Sequence, residues 1–207
     1  MKVKLCGITS LGDALAACDA GADALGFNFA AEARARNRYI DPDAAMKIIE
    51  QLPPFVATVA VTVNEALARL EEYLRFVDTV QLHGEEGPEL CAALSKRPIK
   101  AFRVGAGFAP ESMLAYRASA YLLDASVPGA RGGTGQTGDW ELARRAVETG
   151  RPIVLAGGLT PENVAEAIRC VRPHGVDTAS GVESAPGKKD HERIRLFVRN
   201  AKQASVS

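Results

Sequence analysis

The stretch Lys2-Val3-Lys4-Leu5-Cys6-Gly7-Ile8-Thr9 decides how this chain is read. Period-two alternation puts Lys2, Lys4 and Cys6 on one face of a strand and Val3 and Leu5 on the other. A thiol therefore stands one pleat from an ammonium, at the end of a strand that Gly7 and Thr9 terminate. Ser10 then offers a cap for the apolar-periodic run 11–20. The unit recurs. Residues 22–29 set Leu25, Phe27 and Phe29 against Gly26 and Asn28, and residues 55–63 set Val59, Val61 and Val63 against Thr58, Ala60 and Thr62. Further strands are expected at 79–84, 98–104, 120–124, 152–156 and 175–178. Helices are expected to open at Asp41-Pro42, after Asn64, at Pro88 and Pro110, after Asp139, at Thr160-Pro161 and after Asp190. Residues 30–39, with Arg34, Arg36 and Arg38, read as a loop.

Eight strand–helix units spaced roughly 20 to 30 residues apart are what a (β/α)8 TIM barrel requires, here an α/β fold of one domain over residues 1–207. The open doubly wound sheet is disfavoured because no Gly-x-Gly-x-x-Gly follows the first strand. At 207 residues and 47% hydrophobic content the chain can bury a sizeable core. Lys+Arg and Asp+Glu number 25 each, so no electrostatic pull toward nucleic acid or acidic membranes is implied. With a charged opening strand and no apolar run of about 18 residues, a cytoplasmic protein is expected. Cys6, Cys18, Cys91 and Cys170 have no C-x-x-C spacing, which indicates neither a disulfide framework nor a zinc site. The last three, like Trp140, are expected to pack.

In such a barrel all eight C-terminal strand ends open onto one mouth. The residues there are Cys6, Asn28, Gln81, His83, Arg103, Asp124, Gly157-Gly158, Asp177 and Ser180-Gly181. Strands one and six are separated by strands seven and eight, so Cys6 and Asp124 are expected to face each other across the mouth. The turns Ala156-Gly157-Gly158-Leu159 and Ala179-Ser180-Gly181-Val182 can bring unhindered backbone N–H groups to an anion, with phosphate the usual occupant of these loops. Gly132-Gly133-Thr134-Gly135 is either a third contributor or a flap. His83 reads equally as a donor to a ligand and as a structural group. Lys4, pointing inward, needs a carboxylate, for which Asp177 is a candidate.

These residues resemble the phosphoribosylanthranilate isomerase family. The resemblance rests on Lys4-Leu5-Cys6-Gly7-Ile8-Thr9, 21–27, Arg38-Tyr39-Ile40, Val80-Gln81-Leu82-His83-Gly84, Leu122-Leu123-Asp124, 132–135, 156–159, Asp177-Thr178-Ala179-Ser180-Gly181-Val182-Glu183 and the Pro-Gly-Lys-Lys-Asp finish, in family order. It implies an Amadori rearrangement in tryptophan biosynthesis, with N-(5-phosphoribosyl)anthranilate becoming 1-(2-carboxyphenylamino)-1-deoxyribulose 5-phosphate. No cofactor or metal is implied, and the partners are a small phosphorylated substrate and at most a second copy of the chain, as monomer or homodimer.

By the same resemblance, Asp124 is the general acid that protonates the furanose ring oxygen. Cys6 is the general base that takes the C2 proton once an iminium has acidified it. Arg38 pairs with the anthranilate carboxylate, Gln81, His83 and Asp177 contact substrate, and Gly157, Gly158, Ser180 and Gly181 hold phosphate. The chain departs from the family pattern in a longer loop before Arg38, which leaves Arg34 and Arg36 as competitors for the carboxylate. It departs again at Gln136 and Gly138, where Lys and Phe are common.

Overall fold

Alternation of the kind seen in the opening stretch closes into a ring. The computed structural model describes residues 1–105, 107–124 and 138–204, so the expectations placed on 132–136 lie outside the described residues. Its parallel strands are β1 (Lys2–Cys6), β2 (Ala24–Asn28), β3 (Ala57–Thr62), β4 (Thr79–Leu82), β5 (Ile99–Arg103), β6 (Ala120–Asp124), β7 (Ile153–Ala156) and β8 (Gly175–Thr178). They pair in chain order, and β8 returns to β1 with Lys4 in register with Asp177, so the barrel is closed. The helices are α1 (Leu11–Asp19), α2 (Pro42–Ile49), α3 (Leu67–Tyr73), α4 (Pro88–Ala93), α5 (Gly138–Val147), α6 (Val164–Val171) and α7 (His191–Ala204), with a 3₁₀ turn, Pro110–Ala115, serving after β5. None of the described helices is long and apolar enough to cross a membrane.

The two faces of each strand go to two different cores. Val3, Leu5, Leu25, Phe27, Leu123, Leu155 and Val176 face outward and pack with Ile168, Ile194 and Phe197 of the helices. Inside the ring lie Cys6, Val59 and Val61 in one cluster and Ala101, Leu122 and Ala156 in another. In β3 it is thus the valine face that points inward, leaving Ala60 for the helices. Each fully buried Leu, Val or Phe contributes about 1.5–3 kcal/mol, and their number is what holds the charged inward positions in place.

Several helix starts follow the expected caps. Ser10 accepts from the Asp13 amide at 3.2 Å, Asp41 from Asp43 at 3.0 Å, and Asp190 from Glu192 and Arg193 at 2.9 and 3.1 Å. Four details differ from the sequence reading. Asn64 does not cap α3: it adopts a left-handed φ of 51°, and its Oδ1 accepts from the Glu85 amide at 2.7 Å, which ties the loop after β3 to the loop after β4. Thr160-Pro161 makes a turn ahead of α6, with Asn163 Oδ1 accepting from the Thr160 amide at 2.8 Å. Residues 31–36 form a 3₁₀ helix, Ala31–Arg36, rather than an open loop. Finally, a short hairpin follows β8, β9 (Glu183–Ala185) with β10 (Lys188–Lys189). The described cysteines are all free; Cys91 is buried, whereas Cys170 is exposed on α6 and does not pack as expected.

One buried ion pair ties β5 to the loop after β4. Lys100 Nζ donates to Glu86 Oε2 at 2.8 Å and to the Gly84 carbonyl at 2.7 Å, and Glu86 also accepts from the Asn64 amide at 2.8 Å. Burial pushes the Glu86 carboxyl up, but the hydrogen bonds from Lys100 and the Asn64 amide outweigh it and hold the group below the usual carboxylate range. A folded value below the unfolded one of about 4.3 gives stability that is fully present above that pH and is lost as pH falls through the lowered value. Glu86→Gln is therefore expected to be less stable than the wild type at neutral pH yet to lose less on acidification. Urea unfolding over an acid pH series checks this, and an equally steep loss in the variant would count against Glu86.

Candidate active site

The strand geometry gathers the expected residues at one mouth. A cleft of 530 Å³ is lined by Cys6 from β1, Asn28 from β2, Gln81 from β4 with His83 just beyond it, Arg103 from β5 and Asp124 from β6. Gly157 and Gly158 after β7, Asp177 on β8, and Ser180 beyond it complete the ring. Thiol and carboxyl thus share one cavity although they stand 118 positions apart in the chain. Gly157 and Gly158 take φ of 90° and 67°, conformations that a side chain would strain. Gly181 lies apart from this cleft, in an adjoining depression with Gly158, Thr160 and Arg193. A Cβ there would sit 1.9 Å from the Leu159 carbonyl oxygen, so Gly181 is what lets the turns after β7 and β8 touch.

Two sets of charges at the mouth are paired. Lys4 Nζ donates to Asp177 Oδ1 at 2.8 Å, the partner expected from sequence. Arg38 is committed to a partner that was not expected: its Nε and Nη2 donate to Glu183 Oε1 and Oε2 at 2.9 and 2.8 Å. Lys189 Nζ joins them, donating to Glu183 at 3.0 Å, to the Cys6 carbonyl at 2.7 Å and to the Ala179 carbonyl at 3.0 Å. Glu183 and Lys189 are the functional-site residues that sequence reasoning passed over. They stand inside the Ser-Gly-Val-Glu and Pro-Gly-Lys-Lys stretches, and that placement was the available signal. Of the competing arginines, Arg36 also lines the cleft, while Arg34 stacks over the Tyr39 ring at 3.5 Å.

Burial pushes the Cys6 thiol up, Lys4 and Lys189 pull it down, and Asp177 adds to the rise. Burial likewise pushes His83 down, so the imidazole is neutral at pH 7. Gln81 Nε2 lies 2.9 Å from His83 Nδ1. With Nδ1 accepting, the ring proton sits on Nε2. The Gln81 Oε1 is buried without a hydrogen-bond partner among the described residues.

The family model described as N-(5'-phosphoribosyl)anthranilate (PRA) isomerase matches residues 3–200. The chain belongs to this family. Among its phosphoribosylanthranilate isomerase relatives is the N-(5'-phosphoribosyl)anthranilate isomerase of Pelobacter propionicus, 54% identical over 205 residues, which cover 98% of this chain and 96% of that one. The crystal structure of phosphoribosyl anthranilate isomerase from Thermus thermophilus superposes with a TM-score of 0.85 at 40% identity, covering 100% of both chains. A phosphoribosyl anthranilate isomerase solved in complex with reduced 1-(o-carboxyphenylamino)-1-deoxyribulose 5-phosphate is 43% identical, with a TM-score of 0.85 and coverage of 98% and 99%.

Proposed function

We propose that this chain is a cofactor-free isomerase that converts N-(5-phosphoribosyl)anthranilate into 1-(2-carboxyphenylamino)-1-deoxyribulose 5-phosphate, an aldose-to-ketose Amadori rearrangement of tryptophan biosynthesis. The observation that carries this reading is the placing of Cys6 and Asp124 on one cleft whose rim includes Gly157, Gly158 and Ser180. A phosphate held on those turns by backbone N–H groups fixes one end of the sugar and leaves its C1 and C2 in the cleft body. Asp124 gives a proton to the ring oxygen and the furanose opens to an iminium. The iminium withdraws electrons from C2, and the Cys6 thiolate removes the C2 proton; the resulting enolamine tautomerises to the ketone.

Binding follows from the same geometry. His83 Nε2–H and the Gln81 Oε1 supply a donor and an acceptor for ligand polar groups, and the oxygen gains a partner that no described residue gives it. Arg38 presents its Nη1 edge to the anthranilate carboxylate while Glu183 holds the other edge. The fluorescence of the anthranilate substrate is expected to fall when the protein is added, and no fall at micromolar protein would reject the activity. Arg38→Ala is expected to raise KM at least about tenfold with a smaller change in kcat, as for lost binding of a carboxylate. If Arg36→Ala does this instead, the carboxylate lies with Arg36.

A further inference from the structure

Two buried ammonium groups approach Cys6, and they differ in what they have left to give. Lys189 donates to three oxygens, those of Cys6, Ala179 and Glu183, which uses all three of its protons. Lys4 is 5% exposed, and among the described residues its one hydrogen bond to oxygen is the 2.8 Å contact with Asp177. Two N–H groups of Lys4 remain in a place where water has little access, and an ammonium so placed needs further acceptors. The thiol supplies one. The Cβ that Gly26 lacks would lie 3.0 Å from Cys6 Sγ and 3.2 Å from Lys4 Nζ, so sulfur and ammonium share the notch left by one missing methyl group.

We propose that Lys4 is a positioning residue that eases ionisation of Cys6: anchored by Asp177, its ammonium donates to the Cys6 sulfur within the notch at Gly26 and favours the thiolate when the proton leaves. This deepens the reading of Cys6 as the base. Burial alone would keep the thiol protonated. The charged groups around it are Lys4 on β1, Asp177 on β8, Lys189 on β10, and Arg38 with its partner Glu183. Arg36, Glu32, His83, Arg103 and Asp124 line the rest of the cleft. Burial, the largest influence, and Asp177 oppose the thiolate while Lys4 and Lys189 favour it, and the balance leaves the thiol above its ordinary value, so Lys4 limits a rise that would otherwise be greater. Lys189 is bound to the backbone oxygen of Cys6 and to Glu183, which leaves Lys4 as the cation with free protons at the sulfur. Gly26 is then a requirement of the site as well as of the strand, because any side chain there would intrude on both atoms.

The test reads the thiol directly, by the pH dependence of iodoacetamide alkylation at Cys6, followed by peptide mass spectrometry to separate it from the other cysteines. Lys4→Met alone strands Asp177 and risks the fold, so the deciding pair is Asp177→Asn, whose amide oxygen still accepts from Lys4, against Lys4→Met/Asp177→Asn, which buries no charge at either position, with thermal unfolding checking that both variants are folded. Removing Lys4 within this pair is expected to slow alkylation at pH 7 about tenfold and to raise the ionisation midpoint by about one pH unit. Asp177→Asn alone is expected to move the midpoint the opposite way from wild type, a sign that lost packing would not produce. Equal midpoints for the two variants overturn the proposal. Turnover of Cys6→Ser judges separately whether Cys6 is the base, since the thiol titration needs no substrate.

Discussion

Cys6→Ser and Asp124→Asn are each expected to lower kcat by at least about a hundredfold, the scale of a lost proton-transfer group, with KM little changed. Both exchanges conserve size, so the 530 Å³ cleft and its glycine turns persist and the substrate still binds. What disappears is proton chemistry. A serine hydroxyl is a far weaker acid than a thiol, and its alkoxide is not populated at neutral pH, so no base faces C2. Asparagine keeps the hydrogen-bonding shape of Asp124 but has no proton of suitable acidity to give to the ring oxygen. On the proposed mechanism the two losses differ in kind: Asp124→Asn is expected to block ring opening and Cys6→Ser the step after it. A substrate that enters already ring-opened should therefore rescue Asp124→Asn more than Cys6→Ser. Steady-state kinetics with either variant at the wild-type rate would falsify the assigned role.

Glu183→Ala is expected to cost about 3–5 kcal/mol of stability, the usual consequence of removing one member of a buried ion cluster and leaving the others uncompensated. Glu183 is 4% exposed at its side chain, and it faces Arg38 at 14% and Lys189 at 0%. A loss of that size corresponds to a fall in Tm on the order of 10 °C for a chain of this length. The pH dependence gives the mechanism away. Burial holds the Lys189 ammonium below the usual lysine range against the pull of Glu183, and without Glu183 it drops further. A folded value below the unfolded one means that the unfolded chain binds more protons between the two, so stability rises with pH across that interval. The deficit of Glu183→Ala should therefore shrink from pH 7 toward pH 10. Arg38 cannot shed its charge, so the recovery stays incomplete. Thermal unfolding across that range measures both, and a deficit below about 1 kcal/mol, the value of an exposed pair, would show that the cluster is solvated.

Much of this was readable in the amino-acid order because it depends on local rules. Alternation in Lys2–Cys6 and Ala24–Asn28 assigns faces, and a barrel converts face and strand end into a single mouth. Cys6, Gln81, His83, Asp124 and the Gly157-Gly158 turn reach the cleft for that reason. The Lys4 partner was readable too, since a lone inward ammonium must find a carboxylate. What escaped was set by distance along the chain or by brevity. Arg38 and Glu183 are 145 residues apart, and nothing near either one announces the other. The β9–β10 hairpin has three residues on one arm and two on the other, too short for any period to register. Asn64 carries the signature of a cap, but an acceptor-seeking amide on the neighbouring loop takes its side chain first. Gly181, read as a phosphate contact, has a second requirement that the sequence did not show: its bare Cα makes room for the Leu159 carbonyl.

The bond from Lys189 to the Cys6 carbonyl spans 183 positions, and it dictates an order of events at the ribosome. Cys6 leaves the exit tunnel long before Lys189, at a time when β8 beside it, the lysine and the brace for Arg38 are all still to be translated. A nascent or prematurely terminated chain consequently carries an unsealed barrel seam and an unarranged thiol. Chains that stop short of Lys189 are therefore expected to lack both the closed seam and the arranged thiol.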